Sequence, residues 1–426
     1  MTVVVSPPSL SLTRRVPKER TLEQRRTRRV QVVWALLFFN VLSFSVQPII
    51  LPIPHFIGQA LTQGALVLAF ALALTVNPKV RIRPNLLLGL YSVLAVTTLM
   101  MSVRFVSLGT VYRSTRLVGF LAVIWLLTPW FGRRDRLLLR TQITFLVAVL
   151  VSVSLGLLLS PHKAYVLNAG ARRLTGALWP MPATQVGHYM AELTGLALLL
   201  WVCGIWTRRR GLMVVIPAGF ALLLTHTRTA LLAMVVALAV AGLSLLTGSR
   251  RVRKVFTTCV LLGVTVLLPL SPLVTSWLTR GESNTEVTNL SGRTLAWAQV
   301  LSEPRPDTNK LLGSGLTNSS VVGAQDQAAD GLPIDSGWIS TYQNQGLVGD
   351  IIEGVIFLTL LLTALIAPRG PSRAIALFLI IYCLIASFAE TGMGDASTYV
   401  MDLALAASLL AYPLSRRKSK QPAAVT

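Results

Sequence analysis

The chain is expected to be an all-α polytopic membrane protein with about twelve transmembrane helices and one large extracytoplasmic loop. Three observations predict this. Of its 426 residues, 53% are hydrophobic and only 13% charged, with a mean hydropathy of +0.65, values that no ordinary soluble domain of this size reaches. Apolar runs of span length, about 17–25 residues, recur along the chain. The short turns between them alternate in charge, with most of the Lys and Arg on one side.

The twelve runs fall near residues 30–47, 57–76, 85–103, 114–132, 141–160, 185–206, 211–225, 229–247, 255–272, 350–367, 373–390 and 396–413. With the N-terminus inside, 28 of the 39 Lys and Arg face the cytoplasm, so most of the net charge of +23 encodes topology through the positive-inside rule. Between residues 273 and 349 the balance reverses, with four basic residues against seven acidic ones. That distribution argues against nucleic-acid binding, which needs a basic patch on one surface. The expected organisation is a disordered basic cytoplasmic tail (1–29), helices one to nine (30–272), the large extracytoplasmic loop (273–349), helices ten to twelve (350–413) and a second basic cytoplasmic tail (414–426). Residues 1–29 lack the apolar core of a secretory signal, so the first span is expected to be the anchor and the tail to touch anionic membrane lipid. Cys203, Cys259 and Cys383 all fall in predicted spans, where they act as small apolar residues and imply no disulfide framework. Arg outnumbers Lys 32 to 7, which points weakly to a GC-rich bacterial source.

Taken in order, the first outer turn, Gln47 to His55, is apolar and proline-studded and has no carboxylate. The second, Arg104 to Arg116, holds Arg104, Arg113 and Arg116 against the topology rule. Two readings stand: snorkelling toward headgroup phosphates, or a docking patch for a phosphate-bearing substrate matched by guanidinium forks. The third, 161–185, is broken by Gly176 and Pro180 and places Arg172 and Arg173 at or beside a cavity, because irregular backbone at membrane depth must be buried or line one. His188 and Glu192 follow on one helix face, as a proton-handling pair or as a hydrogen-bonded structural pair. Gly211 to Gly248 is only 38 residues, so two spans fit there only around a minimal turn, and Arg228 opens the second with Thr227 as its N-cap. An arginine near the bilayer core needs a partner, either a permanent carboxylate or a substrate phosphate.

In the large loop, Ser291 is placed to cap a helix that carries Arg293 and Trp297 on one face. Farther on, Asp335, Trp338 and Tyr342 fall at i, i+3 and i+7, aligning a carboxylate with two aromatics in the manner of a sugar-binding face. Plainer roles exist for each: Asp335 as an N-cap, Arg293 as the partner of a loop carboxylate, Gly346 and Gly349 as a turn into the tenth span.

These segments resemble the O-antigen ligase and polymerase superfamily. HTRTALLA at 226–233 is similar to the family's Ser/Thr-Arg-Thr-Ala-Leu-Leu segment, and SGRTLAW at 291–297 resembles its Gly-Arg segment. The ligases carry His, then Asn, Ser or Gln, nine residues, and Gly-x-x-Gly; here Asp335-Ser336 is followed after nine residues by Gly346-Leu347-Val348-Gly349. The departure is Asp335, where the ligases have the His taken to activate the acceptor hydroxyl. An aspartate can accept that proton, less efficiently unless its pKa is raised. The substitution favours a polymerase, or a ligase with a different acceptor.

The resemblance implies a GT-C-like fold in a bacterial inner membrane, with both termini cytoplasmic. It implies transfer of a glycan from a polyprenyl diphosphate to an acceptor hydroxyl at the outer face, with inversion at C1. Asp335, Arg228 and Arg293 are the expected catalytic residues, and Arg173, Arg116, Arg113, Trp338 and Tyr342 the expected substrate-binding ones. No metal-ligand cluster, Asp-x-Asp or nucleotide loop is present, so no cofactor is expected and the reaction is read as metal-independent. The expected partners are the lipid-linked glycan, a glycan, lipid or protein acceptor, and a chain-length regulator protein. A flippase of lipid-linked sugars is the rival; it should show a pseudo-repeat between halves, and none is visible.

Overall fold

Long runs of Leu, Val and Ala that must satisfy every backbone group internally have one outcome in a bilayer, the α-helix. The computed structural model describes residues 17–45, 49–104, 108–168, 171–246, 277, 293–317 and 332–411, and its secondary structure is almost wholly helical. The first half comprises α1 (Pro17–Asn40), α2 (His55–Val76), α3 (Leu86–Arg104), α4 (Leu108–Leu127), α5 (Asp135–Leu159) and the short α6 (Pro161–Ala164). After a small hairpin come α7 (Ala183–Val202), α8 (Arg208–Leu224) and α9 (Arg228–Leu245). The remainder is α10 (Arg293–Ser302), α11 (Asp307–Leu312), α12 (Gly337–Ile366), α13 (Pro371–Ser387) and α14 (Thr398–Leu410).

Among the described residues, six helices are long and apolar enough to cross a membrane: α2, α3, α4 with its 3-10 extension, α5, α9 and α12. Two shorter apolar helices, α13 and α14, join them. The outer surface is greasy: Val67, Phe70 and Leu74 of α2 and Leu358, Leu362 and Leu365 of α12 form exposed stripes at helical spacing. The predicted ninth span, 255–272, lies outside the described residues.

α7 and α14 are buried on nearly every face and form the centre of the bundle. Small residues let the helices close on one another. A Cβ at Gly195 of α7 would lie 2.1 Å from the ring of Phe378 on α13, so these helices meet at that glycine. Inside this core sits one strongly polar knot. Gln142 of α5 reaches both Glu192 of α7 and Asp402 of α14 from its amide nitrogen, each at 2.5 Å. Glu192 is thus engaged by Gln142, while His188 meets Tyr382 and Glu390, so each side chain has its own partners. Polar groups this deep in an apolar bundle must find partners, and each carboxylate finds the other as well as the amide.

Four features differ from the sequence expectation, each for a local reason. α1 reaches back to Pro17, into the segment expected to be a disordered tail; the stretch is rich in Arg, Glu and Gln, good helix formers. α4 starts at Leu108, so Arg113 and Arg116 ride on its outer turns instead of in a loop. α12 starts at Gly337, thirteen residues ahead of the expected tenth span, because the polar 337–349 segment is also helical and joins the apolar part at a kink on Gly346 (φ 68°). Residues 165–174 form an unforeseen antiparallel hairpin, β1 (Tyr165–Asn168) with β2 (Ala171–Leu174), in which Val166 faces Arg173.

Candidate active site

The site begins with the three-residue turn between α8 and α9. His226 adopts a left-handed conformation (φ 49°), costly for a residue with a Cβ. Its ring stacks on Trp277 at 5.4 Å, and the Trp277 indole N–H donates to the Leu223 carbonyl at 3.2 Å. Below the turn, Gly187 of α7 has no side chain; a Cβ there would lie 2.4 Å from Thr227 Oγ1. Arg173, buried on β2, closes the arrangement: its Nε donates to the Thr225 carbonyl at 2.9 Å and its guanidinium to Thr227 Oγ1 at 3.3 Å. Thr227 is the N-cap residue of α9 by position, yet its hydroxyl makes no cap bond and bonds to the Ala183 carbonyl at 3.3 Å instead. Arg228 therefore opens α9 from a turn that is held from below and from the side. The helix N-terminus adds a partial positive charge at the same point.

Thr229, the next residue, donates to Glu390 Oε1 at 3.3 Å. Glu390 lies in the turn after α13 and receives His188 of α7, whose Nε2 is 3.3 Å away. His188 Nδ1 is 2.6 Å from the Tyr382 hydroxyl, which holds the imidazole at that nitrogen. Gly337, at the start of α12, lies against this turn; a Cβ there would be 3.0 Å from the Ser387 carbonyl and 3.3 Å from that of Glu390. This contact brings Asp335 into the cluster. Ser336 is the N-cap residue of α12, and Asp335, one residue before it, pairs with Arg293 at 3.2 Å. The N-cap position considered for Asp335 is held by Ser336, whose side chain makes no cap hydrogen bond. The proposed cap of α10, Ser291, lies outside the described residues.

The charges are coupled. Burial raises the Asp335 carboxyl above the usual aspartate value; Arg293 pulls against it, and the neighbouring Glu390 charge adds to the rise. Burial alone would raise Glu390 too. There the hydrogen bond and charge of His188, helped by Arg293 and Thr229, win and hold it below the ordinary value. The two neighbouring carboxyls are thereby shifted in opposite directions, Asp335 up and Glu390 down.

The other expected residues lie around this centre. Arg113 donates to the Thr317 carbonyl and pairs with Asp395 at 3.0 Å. Arg116 makes longer contacts, each 3.4 Å, to the Asn40 side chain and carbonyl and to the Ala396 carbonyl. Trp338 and Tyr342 do not share one open face. The Trp338 indole donates to Ser387 at 3.0 Å and its ring packs against Phe357 and Phe388. Tyr342 packs with Ala296, Val300 and Ile334 beneath the Arg305 guanidinium. The sequence reading passed over Glu390, Thr229 and Tyr382. Glu390 had a signal: it is a lone carboxylate at the end of an apolar run, an expensive position unless it is used. Among the described residues, no three His, Cys, Asp or Glu side chains gather as a metal site.

Residues 212–353 match the family described as O-antigen ligase. That segment contains Arg228, Arg293 and Asp335. No curated protein sequence matches the chain.

Proposed function

We propose that this chain, whose residues 212–353 match the O-antigen ligase family, belongs to the O-antigen ligase and polymerase superfamily and transfers a glycan from a polyprenyl diphosphate to an acceptor hydroxyl at the outer face of a bacterial inner membrane. The observation that carries this reading is the convergence of the N-terminus of α9, the N-terminus of α10 and the start of α12 on the turn after α13. It sets Arg293 and Asp335 in contact and brings Arg228 to the same end of the bundle.

In the proposed step the acceptor oxygen attacks C1 of the donor sugar. The bond from C1 to the phosphate oxygen breaks, and the diphosphate leaves with the electron pair. Arg228 and Arg293 stabilise the growing charge on that leaving group; fixed guanidinium groups need no reorganisation as the charge develops. The acceptor proton goes to Asp335, whose raised pKa makes it a better base than an ordinary aspartate. A single displacement inverts C1, and no metal is invoked. The arginines of α4 and β2 belong to the walls of the site: Arg173 supports the turn that presents Arg228, while Arg113 and Arg116 border the substrate space. Trp338 and Tyr342 back the same region from α12. A chain-length regulator is the expected protein partner if the product is a polymer.

Reconstitution of the purified protein with a polyprenyl-diphosphate oligosaccharide tests the reading. Longer glycans from the donor alone identify a polymerase; single transfer that requires an added acceptor identifies a ligase. A donor that stays intact yet crosses the bilayer of liposomes replaces the enzyme with the flippase.

A further inference from the structure

Next to the reaction centre, the outer end of α4, the first turns of α12 and the turn at 391–395 enclose a half-covered pocket of about 60 Å³. It is lined by Arg113, Ser340, Asn344, Gln345, Thr391 and Asp395, with Leu316 as its apolar side chain. Thr391 directly follows Glu390, and Ser340 stands one helical turn beyond Ser336, so the pocket adjoins the cluster of Asp335 and Glu390.

The lining has been partly used by the fold, and what remains describes a ligand. Asn344 is committed: its carbonyl oxygen accepts from the Thr317 N–H and hydroxyl, and its amide donates to Ser340. Gln345 is 3% exposed, and its Nε2 donates to the Gly394 carbonyl at 2.7 Å, which fixes the nitrogen end of that amide. Its other end, Oε1, is buried without a hydrogen-bond partner. A buried acceptor of this kind calls for an O–H or N–H donor. Gly394 makes room for this amide, since a Cβ there would lie 2.4 Å from Gln345 Oε1 and 2.9 Å from its Nε2. The Ser340 and Thr391 hydroxyls complete a wall that both donates and accepts.

Charge and size narrow the class. Arg113 and Asp395 cancel one another at 3.0 Å, and a phosphate placed here would face the Asp395 carboxylate. A lipid chain would leave the polar wall unsatisfied. The volume suits one small polar substituent and excludes a whole pyranose ring. We propose that the pocket is a sugar subsite that grips one O–H- or N–H-bearing substituent of a pyranose through Gln345, Ser340 and Thr391. The proposal rests on the glycan-transfer reading for its place in a reaction, and the pocket would hold the sugar that is being moved or extended.

The test is saturation-transfer NMR on the detergent-solubilised full chain with the methyl glycosides of glucose, galactose, mannose, N-acetylglucosamine and N-acetylgalactosamine. At least one should bind, with saturation concentrated on a single substituent. Gln345→Met and Thr391→Val should each weaken that glycoside at least fivefold. Thr391→Val changes a partly exposed residue to one of the same shape, so it remains informative if Gln345→Met fails to fold. Asp307→Asn, on a side chain 92% exposed, should leave glycoside binding intact. Absence of binding by every glycoside, or equal binding by Thr391→Val and the unaltered protein, would overturn the subsite. A glycoside that binds to a protein unable to transfer glycans would instead sink the transferase reading and leave the subsite standing.

Discussion

Replacing Asp335 by Asn separates a base from a structural carboxylate, because the two roles differ in magnitude. The side chains of Asp335 and Arg293 are 34% and 22% exposed, so their ion pair is partly screened and contributes no more than about 1 kcal/mol to stability. Asparagine keeps a carbonyl oxygen for Arg293, which reduces the loss further. The thermal midpoint should therefore fall by a few degrees at most. A general base, by contrast, supplies about 10²–10⁴-fold in rate, equivalent to roughly 3–5 kcal/mol of barrier. Glycan transfer by Asp335→Asn in proteoliposomes should drop by that factor while the protein remains folded. The control is Asp307→Asn, on a side chain 92% exposed whose ion pair is to Lys310 on the same short helix. The base assignment is refuted if Asp335→Asn loses less than tenfold, or if its loss of activity follows a matching loss of folded protein.

Other outcomes follow from the same geometry. Arg228→Ala should cost about 10²–10³-fold in transfer at normal membrane abundance, as expected for one donor to a developing anion; undiminished transfer would remove Arg228 from the mechanism. A base works above its pKa, so transfer should fade as pH drops through the raised value of Asp335. Glu390→Gln removes a charge that contributes to that rise, and the acid limb of the rate profile should move to lower pH; a limb that stays in place would show that the two carboxylates are uncoupled. Gly346→Ala should destabilise by at least about 1–2 kcal/mol from the left-handed backbone alone, because its φ is 68° and the new Cβ would lie 2.4 Å from the Leu311 carbonyl. Gly354→Ala, with nothing within 4 Å, is the matched control in thermal unfolding. A cysteine placed at Asp307 should react with an impermeant maleimide from outside the cell; labelling only from the cytoplasmic side would invert the topology.

Local periodicity carried the parts of the fold that local physics decides. The runs at 57–76 and 229–247 became α2 (His55–Val76) and α9 (Arg228–Leu245), because a span-length apolar stretch has few alternatives in lipid. The tight turn before Arg228 was legible from length alone. The hairpin at 165–174 was not, since its eight residues alternate too weakly to signal strands and are ordered by Arg173 reaching the 225–227 turn. The early start of α12 was hidden by glycine, as Gly346 reads as a helix end and here marks a kink. Least legible was the partnership of Glu390 and His188. It joins residues about 200 positions apart, and only the packing of α7 against α13 brings them together.

That partnership bears on the departure at Asp335. Where the ligases that the sequence resembles have an imidazole, this chain has a carboxylate, and an aspartate beside Arg293 would ordinarily be a weak base. The fold counters this in two ways: it buries the carboxyl, and it sets the ionised Glu390 beside it, each of which raises the pKa against the pull of the guanidinium. His188, pinned by Tyr382 and helped by Arg293 and Thr229, favours the charged form of Glu390 in its buried position. On the proposed mechanism, with Asp335 as the base, His188 acts at one remove, through Glu390. Replacing His188 by Gln should then leave the rate at high pH nearly unchanged and shift the acid limb in the same direction as Glu390→Gln, toward lower pH, because a Glu390 that becomes protonated no longer raises Asp335. If instead the rate collapses at every pH, His188 handles the proton itself and Asp335 is not the base.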